Sequence, residues 1–140
     1  MKSHFLRPSN NEEFVNELIE FFKDEGQLLI AVAYFNSDLF AELIIERFEK
    51  KQQTLLILNT SDLIRPQNPG DSEIAISKAL MKVITADTRQ TYINIKTLGI
   101  RKKGKYQNMH HKFFINSKKL IFGSFNLTNA AINKNYESVI

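Results

Sequence analysis

The sequence predicts an α/β fold, a mixed and largely parallel central sheet flanked by helices on both faces. Two near-continuous apolar runs, Leu28 to Phe35 and Thr54 to Asn59, have strand length and lack alternation, as strands buried on both sides do. Between them lies a segment of helical period, with Phe40, Leu43, Ile44 and Phe48 on one stripe. A β-α-β order of this kind implies a right-handed crossover and parallel pairing.

The remaining elements follow in chain order. Ser9-Asn10-Asn11-Glu12 reads as a capping box that opens a helix over 11–24, with Phe14, Val15, Leu18, Ile19 and Phe22 inward and Gly26 at its stop. Asn36-Ser37-Asp38 starts the second helix, 38–51. Ser61 to Gly70 carries two prolines, an asparagine and a glycine, and reads as a loop. A third helix over 72–86 uses Ile74, Ile76, Ala79, Leu80 and Val83, and a strand follows over 91–98. Arg101-Lys102-Lys103-Gly104-Lys105 has no apolar period and reads as an exposed turn. Met109–Asn116 and Lys119–Phe125 read as two strands joined by a polar turn. A short helix over Thr128–Asn133 and a last strand from Tyr136 complete the chain. The chain stops inside that strand, so residues 1–140 are expected to form a single domain, either the first of a longer protein or one completed by a partner.

At 140 residues and 43% hydrophobic content the chain can bury a substantial core. With no cysteine, disulfides, thiolate metal sites and cysteine nucleophiles are excluded. The N-terminus has no secretory apolar stretch, and no run approaches the roughly 18 apolar residues of a membrane span, so a cytoplasmic address is expected. The net charge of +4 hides an asymmetry. Residues 1–91 carry ten Lys and Arg against fourteen acids, whereas 92–140 carry nine against one, Glu137. A positive field over one half attracts polyanions, although an ordinary solvated surface would show the same charges.

The basic half also holds His110-His111-Lys112, Gly123-Ser124-Phe125-Asn126 and Glu137. On an extended segment His110 and Lys112 share a face, as do Ser124 and Asn126. If the two segments pair, imidazole, ammonium, hydroxyl and amide converge, a set suited to phosphodiester chemistry without a metal. No cluster of acids or histidines surrounds them to suggest a metal site, and no cofactor is expected. Each residue has a plainer use. His110 could be a surface histidine, Gly123-Ser124 a bulge, Asn126 the cap of the next helix, and Glu137 a surface charge.

The order H-x-K, G-S-x-N and a later glutamate resembles the phospholipase D superfamily. By average residue usage the combination arises by chance in about one chain in ten thousand or fewer. The resemblance implies that His110 attacks phosphorus to form a phosphohistidine, and that Lys112 and Asn126 hold phosphate oxygens with Ser124 assisting. It also implies that Glu137 orients the imidazole. One departure is visible. The superfamily usually has an aspartate five residues after the lysine, where this chain has Ser117, preceded by Asn116; the tyrosyl-DNA phosphodiesterase branch also lacks it.

A complete site of this superfamily uses two H-x-K units, and this chain has one. The resemblance therefore implies a homodimer with the site on its two-fold axis. The resulting expectation is a metal-independent nuclease, a DNA endonuclease similar to single-motif bacterial nucleases and restriction-endonuclease catalytic domains. Arg101, Lys102, Lys103 and Lys105 are expected to contact the nucleic-acid backbone from the rim. A phospholipid phosphodiesterase or phosphatidyl transferase of the same superfamily is the nearest alternative. A non-catalytic nucleic-acid-binding dimerisation module is the other.

Overall fold

The computed structural model describes residues 4–6, 11–59, 76–102, 105–133 and 137–140. Helix α1 (Glu12–Phe22) buries Phe14, Leu18, Phe21 and Phe22, which recur at helical spacing, and closes where Lys23 N–H reaches Ile19 and Glu20 carbonyls. Strand β2 (Leu28–Val32) follows a first short strand, β1 (His4–Leu6). Helix α2 (Asp38–Glu49) then crosses to β3 (Thr54–Asn59). Helix α3 (Lys78–Ala86) starts at Ser77, whose hydroxyl accepts the Leu80 N–H and donates to the Phe35 carbonyl. The proposed loop at 61–70, the capping residues Ser9 and Asn10, and positions 72–75 of the expected third helix lie outside the described residues; Ile76 and Ser77 are not helical, so that helix begins at Lys78 and not at 72.

The chain continues through β4 (Ile93–Lys102), β5 (Lys105–Asn108), β6 (Phe113–Ile115), β7 (Leu120–Phe122), helix α4 (Asn129–Asn133) and β8 (Glu137–Val139). The main sheet has the order β5-β4-β3-β2-β6-β7. β2, β3 and β4 pair in parallel, as the β-α-β reading requires, while β5, β6 and β7 join antiparallel. β1 and β8 pair with each other, and a bridge between Gly123 and Val139 attaches them to β7.

The helices feed one core. Phe14, Leu18, Phe22, Phe40, Ile44, Leu80 and Val83 pack with Leu28, Ile30, Val32, Leu56, Leu58 and Phe114, all on the same side of the sheet. Each such side chain contributes about 1.5–3 kcal/mol by leaving water. Edge contacts of Phe125 with Phe14 and Phe40, at 5.1 and 6.4 Å, lock the segment after β7 to this layer. The described helices lie on this face; on the other, Leu29, Leu55 and Ile57 are half-buried, Ile115 is exposed and Ala31 is buried.

Arg47 holds the lower end of the sheet together. Its buried guanidinium donates to the carbonyls of Phe22 (2.9 Å), Asp24, Gly26 (2.6 Å) and Gln53 (3.0 Å), and to Thr54 Oγ1 (3.0 Å). Those carbonyls lie around the α1–β2 turn and the start of β3, so one planar donor set ties the turn to the strand beside it; the Gln53 carbonyl also accepts the Leu28 N–H at 3.0 Å. No described helix is long and apolar enough to cross a membrane.

Candidate functional site

Parallel strands β2, β3 and β4 all point their C-terminal ends the same way, and α/β sheets gather ligands at that edge. Gly99, with φ of 110°, lies at the point where β4 leaves β3 and takes β5 as its partner. The chain then returns from β5 through Met109–Lys112 to β6, and the Met109 N–H donates to Asn59 Oδ1 at the end of β3 (3.4 Å). A strand was expected from Met109, but the ladder begins at Phe113. His110, His111 and Lys112 therefore lie on a connection beside the strand ends, where strict alternation does not fix their faces. His110 and His111 are exposed, and Lys112 is half-buried.

Lys112 is placed by two bonds. Its Nζ donates to the His110 carbonyl at 2.6 Å, which draws ammonium and histidine together. Its own carbonyl accepts the Gly123 N–H at 3.1 Å. The second bond continues the β6–β7 pairing by one residue, so the H-x-K and G-S-x-N segments are neighbours, as their predicted pairing requires.

Phe125, fully buried, pins the second segment, with partly exposed Ser124 and Asn126 on either side. Asn126 Oδ1 accepts the N–H groups of Ala33 (3.1 Å) and Tyr34 (3.2 Å), just past the end of β2. With the oxygen committed, Nδ2 is the part of the amide left to donate outward. The alternative use of Asn126 as a helix cap is not what forms. Thr128 Oγ1 accepts the Ala131 N–H (3.1 Å), and Asn36 Oδ1 accepts the Asn129 N–H (2.9 Å). Asn36 and Ser37 N–H groups also bind the Leu127 carbonyl, which stitches the loop after β2 to the loop after β7.

Glu137 opens β8, and the Gly123–Val139 bridge sets that strand beside the segment carrying Ser124. Its side chain lies outside the described part. The basic cluster is not a simple turn. Arg101 and Lys102 belong to β4, and Lys105 to β5, with Lys102 opposite Lys105. Lys103 lies outside the described residues, as do the side chains of the other three. The hairpin projects from the C-terminal end of β4, the same edge as the motif.

Sequence reasoning found no partner for Ser117, and the structure supplies one. Ser117 Oγ donates to Asp24 Oδ2 at 2.8 Å, and Lys118 Nζ lies 3.2 Å from Oδ1. The Ser117 hydroxyl is the largest cause holding the Asp24 carboxyl at about 2, well below the usual carboxylate range. Gly26 N–H adds a third donor, and a side chain at Gly26 would collide with Ser117 Cβ at 2.9 Å. An acid thus stands beside position 117, contributed by the α1–β2 turn 93 residues away. No local signal could have revealed it. This cluster borders an open groove lined by Glu13, Glu17, Glu20, Lys118 and Lys119, at the opposite end of the strands from the histidines.

Comparison with known proteins agrees with this fold. The family model described as cardiolipin synthase, PLD-like domain, matches residues 17–140. NucT from Helicobacter pylori superposes over 99% of this chain and 82% of its own, with 18% identity and a TM-score of 0.72. Nuc from Salmonella typhimurium, a phospholipase D family member, does so over 99% and 78%, with 16% identity and a TM-score of 0.62. The phosphatidylserine synthase of Haemophilus influenzae matches 99% of this chain but 33% of its own, at 14% identity and a TM-score of 0.72. No curated protein sequence matches the chain.

Proposed function

Because the chain belongs to the phospholipase D superfamily, we propose that it is a metal-independent phosphodiesterase acting on nucleic acid, a DNA endonuclease whose site is shared by two copies. The observation that carries this reading is the meeting of the H-x-K and G-S-x-N segments at the C-terminal edge of the sheet, through the Lys112–Gly123 bond. Lys112 and Asn126 offer a cation and an oriented amide donor there. Both favour charge that builds on non-bridging oxygens as phosphorus becomes pentacoordinate.

In the proposed reaction a ring nitrogen of His110 attacks phosphorus, and the P–O bond to the leaving group breaks. The partner's His110, protonated, gives its proton to the departing oxygen. It then takes a proton from water, whose oxygen attacks the phosphohistidine and releases the first imidazole. Glu137 accepts the other imidazole N–H and holds the tautomer, as a third group does in nucleophilic triads. The strongly basic second half of the chain, and the paired strands that carry Arg101, Lys102 and Lys105 at the same edge, favour a nucleic-acid substrate. Two structural relatives bear the names NucT and Nuc, which fits the same choice.

Cleavage of DNA that persists in excess EDTA, disappears in His110→Ala, and yields an acid-labile phosphohistidine by mass spectrometry is the expected result. DNA binding without cleavage would leave only a binding module. The family description and the phosphatidylserine synthase relative favour a second reading, a phospholipid substrate. Turnover of an anionic phospholipid in vesicles, with DNA left intact, would establish it.

A further inference from the structure

The loop after β2 is tied down at every residue from Ala33 to Ser37. Asn126 Oδ1 accepts the N–H groups of Ala33 and Tyr34, and Phe35 bridges to Leu127 while its carbonyl accepts the Ser77 hydroxyl at 2.7 Å. The N–H groups of Asn36 and Ser37 reach the Leu127 carbonyl. The side chains of this loop divide by exposure. Ala33, Phe35 and Ser37 are buried, with Phe35 only 4% exposed, whereas neighbouring Tyr34 is 47% exposed. A single exposed aromatic is ordinary on a protein surface. Tyr34 differs in what holds it.

The amide that takes the Tyr34 N–H at 3.2 Å is the one whose Nδ2 is left to donate outward. Only the amide carbon separates that oxygen from that nitrogen, so the aromatic residue and the phosphate donor hang from one anchor. A phosphate held on Nδ2 lies within one side chain's length of the Tyr34 backbone. The phosphate itself gains nothing from the ring, whose face is negative. A nucleobase joined to that phosphate gains a stacking surface. A lipid acyl chain would need a continuous apolar patch, and the exposed neighbours of Tyr34 along this loop are Asn36 and Asp38, both polar.

Resting on the reading that the chain cleaves nucleic acid, we propose that Tyr34 is the platform of a base-binding subsite. One nucleobase next to the scissile phosphate stacks on its ring while Lys112 and Asn126 hold the phosphate oxygens. Because the loop is already fixed, little freedom is lost when the base arrives. Every base has a π-face, so the subsite recognises a nucleotide chain without choosing its sequence.

The test compares two single strands of equal length and charge, oligothymidylate and the same chain built from abasic tetrahydrofuran units. The wild type is expected to cleave oligothymidylate with a kcat/KM about 5–150-fold higher, the range that one stacked base is worth. Tyr34→Ala should bring that ratio close to one, and Tyr34→Phe, which retains a ring, should keep it. Each substitution leaves the backbone N–H for Asn126. If Tyr34→Ala loses its far-UV circular dichroism signal, Tyr34→Leu, which keeps apolar bulk without a π-face, is measured in its place. Tyr34→Trp gives a chain that has no tryptophan of its own a single fluorophore at the subsite; oligothymidylate should quench its emission and the abasic chain should not. A Tyr34→Ala protein that keeps the preference overturns the subsite. So does a Tyr34→Phe protein that loses it, since the hydroxyl and not the ring would then carry the effect. Quenching by oligothymidylate without cleavage of either chain supports the subsite and refutes the nuclease reading. Cleavage of both chains at one rate, with no quenching, does the reverse. A protein whose emission responds only to anionic phospholipid vesicles, and which cuts neither chain, overturns both.

Discussion

Asn126 offers the sharpest separation of scaffold from chemistry, because the two ends of one amide do different jobs. Its oxygen accepts two backbone N–H groups from the end of β2, while its Nδ2 is proposed to donate to a phosphate oxygen. Asn126→Ala removes both. Two hydrogen bonds at ~0.5–1.5 kcal/mol each predict a loss of about 2 kcal/mol. For a chain of this size that lowers the melting temperature by about 6–10 °C. Asn126→Asp keeps an oxygen for Ala33 and Tyr34 but replaces the donor with a negative charge. Its melting temperature at pH 7 should stay within a few degrees of wild type. Its kcat should fall by at least the ~10²–10³-fold typical of deleting one such donor, with repulsion of phosphate adding to this. Thermal denaturation and steady-state cleavage of a generic phosphodiester read the two effects separately. An Asn126→Asp protein that melts like wild type and cleaves at the wild-type rate refutes the assignment of Nδ2. One that unfolds as readily as Asn126→Ala refutes the anchoring role of the oxygen.

Other outcomes follow from the same geometry. Asp24 has a folded-state pKa of about 2, below its ordinary value of 3.8, so it contributes stability above about pH 4 that is lost as pH falls towards 2. Ser117→Ala removes the largest cause of that depression; NMR titration should show the Asp24 pKa rising, and acid unfolding should move to higher pH. Ser117→Asp, which restores the acid usual in the superfamily, should lower the melting temperature at pH 7, because two carboxylates would then share one site. Arg47→Met leaves the carbonyls of Phe22, Asp24 and Gly26 without their guanidinium donor, and chemical denaturation should show a loss of about 3–5 kcal/mol. Replacing Arg101, Lys102, Lys103 and Lys105 by glutamine should weaken DNA binding. It should also flatten the dependence of log affinity on log salt by up to ~0.9 per lost phosphate contact, with kcat unchanged.

Much of this protein was legible in one dimension. Helical spacing of Phe14, Leu18 and Phe22, and of Phe40, Leu43 and Ile44, located α1 and α2, and unbroken apolar runs located β2 and β3. These signals work because the periods of helix and strand are short, and a dozen residues display them. The pairing of the H-x-K and G-S-x-N segments was legible for a related reason: a short polar turn between two strands leaves little choice but a hairpin. Sequence also showed that the positive charge and the motif share one half of the chain.

Tertiary structure decided whatever depends on residues distant in sequence. The strand expected from Met109 gave way to a connection because its backbone is used to travel from β5 to β6, which local propensity cannot express. Asp24 answers Ser117, and Ala33 and Tyr34 answer Asn126, across more than ninety residues. An aspartate, or a bare N–H, carries no mark of the partner it will meet. Which face of each apolar strand the described helices cover belongs here as well. An apolar strand residue looks the same whether a helix covers it or water does, and only the layer arrangement tells the two apart.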